Sequence, residues 1–185
     1  RRCRRNCRCR FKNTIDIDKR EFLKGLWDGA GRNRMNMDKD KKREVTRVDC
    51  GVILSGQEMA TADIALFSRF IFLRYNKSEF SAEAKQNFKR LRDTRKLGCT
   101  HLTLEILKHR DYFAINFREA FNRAYNDIQE ILDNAVVEDR ILLNWVIPLA
   151  AFGCLQLRID VPFNYMELCK LAAAGILEQN KELKH

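Results

Sequence analysis

Proline is scarce in this chain of 185 residues, with two residues, and histidine is nearly as rare, with three. No stretch reaches about 18 apolar residues, so no transmembrane helix is expected. The basic N-terminus is not followed by the apolar run of a secretory signal. These absences point to a cytoplasmic protein with no membrane partner. A phosphate loop of the form G-x-x-x-x-G-K-[ST] is missing. The closest stretch, "GLWDGAGRNR", lacks the lysine and the final hydroxyl residue, and it follows a helix pattern rather than a strand. No paired carboxylates end a strand upstream, and no Ser-His-Asp arrangement is visible. His101 and His109 read as ordinary helix residues. The isolated chain is therefore a poor candidate for a complete enzyme.

Apolar residues make up 45% and aromatics 10%, the composition of a folded globular protein. The net charge of +10 is unevenly spread. Residues 1–49 carry 17 Lys or Arg against 8 Asp or Glu, a balance of +9; residues 50–185 carry 18 against 17, a balance of +1. Basic character thus belongs to the front of the chain, where it can attract a polyanion such as DNA. A flexible basic arm without a dedicated partner accounts for it equally well.

Seven cysteines are present. Cys50, Cys99, Cys154 and Cys169 lie among apolar neighbours and read as reduced, buried small hydrophobes. Cys3, Cys7 and Cys9 sit in "RRCRRNCRCR", whose C-x3-C-x-C spacing is not that of a structural zinc site. Residues 1–10 read as a basic, disordered start.

"IDIDKREFLKGLW" predicts a first helix, capped by Asp16 or Asp18 with Glu21 three positions past Asp18. Phe22, Leu23, Leu26 and Trp27 form its apolar face, and Gly29 and Gly31 end it. The basic "RNRMNMDKDKKREVTRV" reads as a surface loop or hairpin with a short strand near Val45–Val48. "CGVILSG" and "FIFLRY" are continuous apolar runs that suit strands, the first buried on both faces. Between them "TADIALFSR" suits a short helix started by Thr61, with Asp63 in its first turn. Helices follow. "SAEAKQNFKRLRDTRKL" opens at Ser81 and closes at Gly98. The stretch from Thr100 to Asn134 is helical with a break near His109–Asp111. "EDRILLNWVIPLAAFGCLQLRI" is a buried helix kinked at Pro148, and Pro162 starts the last one. No helix in the back half stands out as markedly basic.

Two residues bracket the polar bridge between the apolar runs. Gln57, at the end of "GVILSG", can orient a water or a phosphate oxygen, or simply bond to turn backbone. Arg69, just before "FIFL", can carry a fixed forked charge to a phosphate, or pair with Asp63.

The stretches "MNMDKDKKRE" and "LSGQEMATADIALFSR", with weaker support from "GCTHLTLEILKHR", "EDRILLNW" and "QNKEL", resemble the ATPase region of primase–helicases carried by mobile elements of Bacteroides-type bacteria. These are P-loop NTPases, virulence-associated E and superfamily 3-like. The resemblance covers residues 11–185. It implies an α/β fold followed by an all-α part: a partial P-loop NTPase core over 11–76 and a helical C-terminal domain over 77–185. It implies a role in ATP-driven DNA unwinding during element replication, with ATP and Mg²⁺ bound by an intact, homo-oligomeric parent. Gln57 matches the sensor-type polar residue and Arg69 an arginine finger acting in trans. Arg32, Arg34, Lys39, Lys41, Lys42 and Arg43 match a DNA-facing loop. The family's Walker B acid falls where this chain has "RCR", residues 8–10, and the phosphate loop is absent. A C-terminal fragment or a decayed copy is the expectation, inactive by itself. A non-enzymatic DNA-binding accessory module and a helical protein-interaction domain are the alternatives.

Overall fold

From residue 80 onward apolar side chains recur at helical spacing, and that period decides the architecture. The computed structural model describes residues 10–11, 17–29, 32–35, 43–46, 51–56, 63–75 and 80–183. The elements are β1 (Arg10–Phe11), α1 (Ile17–Trp27), β2 (Arg32–Met35), β3 (Arg43–Thr46), β4 (Ser55–Gly56), α2 (Ile64–Phe67), α3 (Ala82–Leu97), α4 (Thr100–Leu107), α5 (Arg110–Leu132), α6 (Asp139–Leu155) and α7 (Tyr165–Leu183). The chain divides into two compact units, Arg1–Phe70 with Asn180–His185, and Ile71–Gln179.

The α/β core expected over 11–76 is not what forms. Helices dominate the described residues, and extended backbone is confined to fragments of two to four residues. β1 meets β4 through two residue pairs, and β2 meets β3 antiparallel through four. Neither pairing is a multi-stranded parallel sheet between helical layers, so the P-loop core is corrected to a predominantly helical chain. The physical reason lies in the two apolar runs. Gly51–Leu54 has no regular structure, and Ile53 is 96% exposed. A strand buried on both faces needs layers to cover it, and this one is bare. "FIFLRY" is also irregular. The Phe72 N–H goes to the Gln179 side-chain oxygen at 3.3 Å rather than to a ladder, and Leu73 and Tyr75 are exposed.

The second unit holds the principal core. Ala124, Ile128 and Leu132 on α5 follow an i, i+4, i+8 line; Ile141, Leu142, Val146, Leu149, Ala150 and Cys154 face inward on α6; Cys169, Ala172, Ala173 and Ile176 do so on α7. These are the apolar stripes of packed helices. α5 packs along α6. α7 approaches α6 closely at Gly175, where an added Cβ would stand 2.7 Å from the Trp145 ring. The Trp145 indole N–H donates to Gln179 Oε1 at 3.2 Å, which ties the same two helices with a buried polar group.

Local signals set the ends. Ser81 Oγ accepts from the Ala84 N–H at 3.0 Å to start α3, and Gly98, at φ 82°, ends it. The break expected at His109–Asp111 falls at Lys108–His109. Pro148 sits on the exposed side of α6, which runs through it. Pro162 does not begin α7. Asn164 does, its side-chain oxygen accepting from the N–H groups of Met166 and Glu167.

Candidate functional site

Three places gather polar chemistry. The first joins α1 to α2. Arg20, Lys24 and Trp27 follow an i, i+4, i+7 line along α1, and α2 packs against this helix. Asp63, not Thr61, caps α2: one carboxylate oxygen accepts from the Leu66 N–H at 3.0 Å, and the other meets Lys24 Nζ at 2.9 Å. Lys24 also bonds Glu21 at 2.8 Å. Burial pushes the Asp63 carboxyl up, but the Lys24 hydrogen bond, the Leu66 N–H and the field of Arg20 together leave it below its ordinary value. Lys24 is raised by Glu21 and then Asp63.

Arg69 follows α2, as its sequence position requires, but it pairs with Asp28 rather than Asp63. Its Nη1 donates to the Ala65 carbonyl at 2.7 Å, and its Nη2 lies 3.4 Å from Asp28 Oδ1. The guanidinium also stands over the Trp27 ring at 5.3 Å. Both ends of the fork are thus engaged within this unit. Nε of Arg69 and Nε of Arg20 are buried without a hydrogen-bond partner among the described residues. This arrangement is a clamp between α1 and α2; presenting the fork to a phosphate would require releasing Asp28. Gln57, the other half of the expected pair, lies outside the described residues, as do Lys39, Lys41 and Lys42. Arg32 and Arg34 fall on β2 and Arg43 on β3, with Arg34 opposite Glu44 and Arg43 opposite Met35 in the ladder.

The second place is a polar knot inside the helical unit. The Tyr165 hydroxyl donates to Asp127 Oδ2 at 2.9 Å, beside the buried Cys169. Burial, then the hydrogen bonds to Asp127 and Cys169, push the phenol far above its ordinary range. Burial raises the thiols of Cys169 and Cys154 as well. Raised values keep these groups protonated, the opposite of what a base or a thiolate nucleophile needs. The Tyr165–Asp127 bond joins α7 to α5. Cys154 and Cys169 are buried and free as expected, whereas Cys99 is exposed; Cys50 and the N-terminal three lie outside the described residues. No group of His, Cys, Asp and Glu among the described residues could hold a metal ion. None of the described helices is long and apolar enough to cross a membrane.

The third place is α3, which corrects the expectation that no helix in the back half is markedly basic. No residue of this helix is buried. It carries Lys85, Lys89, Arg90, Arg92, Arg95 and Lys96 against Glu83 and Asp93, six charges less two, or +4. The remaining residues of 50–185 carry 12 basic against 15 acidic, or −3. A balance taken over the whole back half cancels the helix against its surroundings. The signal that finds it is the i, i+4, i+7, i+11 spacing of Lys85, Lys89, Arg92 and Lys96.

No family model, curated protein or solved structure matches the chain.

Proposed function

We propose that the chain acts as a non-enzymatic nucleic-acid-binding module, with the basic front of the chain supplying its contacts. The observation that carries this reading is the charge asymmetry, +9 within the first 49 residues. Charge of one sign at this density in sequence attracts a polyanion, whose counterions are released on binding. The β2–β3 pairing supports the reading, since it holds Arg32, Arg34 and Arg43 in one short ladder, with Lys39, Lys41 and Lys42 between the strands in sequence. The clusters around Arg69 and Tyr165 favour binding over catalysis, because both are engaged in joining helices.

The resemblance to mobile-element primase–helicases supports DNA as the polyanion. A place as the C-terminal portion of an ATP-driven, Mg²⁺-dependent, homo-oligomeric parent rests on that resemblance alone. Sensor and finger roles for Gln57 and Arg69 rest on the same resemblance.

The test replaces Arg32, Arg34, Lys39, Lys41, Lys42 and Arg43 with glutamine in the full chain. Binding to a labelled duplex of about 20 base pairs is then measured over a range of salt. Loss of each phosphate contact should make the slope of log K against log salt shallower by about 0.9. An affinity and slope equal to those of the parent chain would remove these residues from the account.

A further inference from the structure

We propose that α3 is a second nucleic-acid contact, a helix whose stripe of Lys85, Lys89, Arg92 and Lys96 lies along the phosphate backbone of duplex DNA. The inference shares its ligand class with the reading above but rests on a different element and different charges.

At about 100° per residue the four side chains fall within an arc of about 60°, and they extend over about 16 Å of helix axis. Neither acid enters that arc: Asp93 borders it and Glu83 lies on the far side. Asp93 does meet Lys96 at 3.1 Å, but both are largely exposed, and such pairs contribute little and exchange readily. The stripe therefore presents a single sign of charge along a rigid rod. Surfaces that are merely solvated interleave both signs.

The arrangement also costs the helix something. Lys85 with Lys89 and Arg92 with Lys96 are like charges at i, i+4, and each pair disfavours the helix by about 0.2–0.5 kcal/mol. No buried side chain of α3 offsets that repulsion. A row of phosphates would screen that repulsion and add an attraction to each charge. Charge of this sign, in a line and fully exposed, is complementary to a linear polyanion.

Duplex DNA fits better than an anionic membrane. A helix that lies in a membrane surface needs a broad apolar face opposite its basic one. On α3 the apolar sector is narrow, formed by Ala84, Phe88 and Leu91, and Arg95 projects through it. A duplex needs no apolar face, and its groove is wide enough to admit a helix.

The experiment uses the full chain and the same labelled duplex of about 20 base pairs. Replacing Lys85, Lys89, Arg92 and Lys96 with glutamine should make the salt slope shallower by about 3–4. Far-UV circular dichroism should show the helix content retained, since no replaced side chain is buried. Two single variants separate the stripe from bulk charge. Lys89→Gln should shift the slope, whereas Arg90→Gln, its sequence neighbour on another face, should leave it nearly unchanged. An unchanged slope in the fourfold variant would overturn the proposal, as would equal effects at positions 89 and 90. Stripe-dependent binding to phosphatidylserine vesicles without binding to the duplex would overturn it in favour of a lipid partner. If the front variant loses binding while the α3 variant keeps all of it, only the α3 contact falls. If the reverse holds, only the front contact falls.

Discussion

A methyl group at Gly175 has nowhere to go. In an open helix the change from glycine to alanine stabilises by about 1 kcal/mol. Here the new Cβ would lie 2.7 Å and 2.8 Å from two atoms of the Trp145 ring, and the ring is tethered by its hydrogen bond to Gln179. The clash should reverse the sign, and Gly175→Ala is expected to lower unfolding free energy by about 1–3 kcal/mol in urea titrations. A gain in stability would show that Trp145 can move aside. Tyr165 allows a second residue-scale prediction. Its folded value lies above the ordinary 10.0, and that of Cys169 lies above 9.0. Groups raised on folding lend stability that is complete below their unfolded values and is lost as pH climbs past them. Stability should therefore fall above about pH 9. The double variant Tyr165→Phe, Cys169→Ala should flatten that fall, and a fall of the same steepness in the variant would assign it to other groups. Little of this was legible in the sequence. Arg69 announced itself as a fixed charge after a short helix, but its partner, Asp28, is 41 residues away. Spacing between neighbours could offer only Asp63.

At the scale of elements, ends were easier to read than partners. Ser81 and Gly98 bound α3 because a cap acts through its own neighbours, and sequence carries that information directly. The apolar runs "CGVILSG" and "FIFLRY" misled for the complementary reason. An apolar run reports that burial is desirable, not that a covering layer exists. Asp63 both caps α2 and reaches Lys24 on α1. That double engagement makes Asp63 a test of the α1–α2 clamp. Asp63→Asn should keep the cap and lose the ion pair, whereas Asp63→Ala should lose both. Hydrogen exchange through Ile64–Phe67 should accelerate in both variants and more in alanine, by the equivalent of about 1 kcal/mol. The difference in stability between wild type and Asp63→Asn should shrink as pH falls through the carboxyl range, since a lowered value means stability present only above it. Equal exchange in all three proteins would remove Asp63 from the clamp.

For the whole molecule, charge is the property that connects sequence to partner, and how it is summed decides what is seen. Counted by halves, the front of the chain holds the excess, and the back looks neutral. Counted by element, α3 carries +4 inside a remainder of −3. The ends of α3 and the spacing of its basic residues stand in the sequence, whereas its exposure along the whole length does not. The helical framework places an exposed basic rod after the front and Arg69 in sequence. The most direct test is one salt titration of duplex binding on four full-length proteins: the parent, the front variant, the α3 variant and their combination. The account predicts that each set of substitutions makes the slope of log K against log salt shallower, and that the combination makes it shallower than either set alone. A parent protein whose binding is weak and insensitive to salt, or a combined variant that keeps the parent's slope, would contradict it.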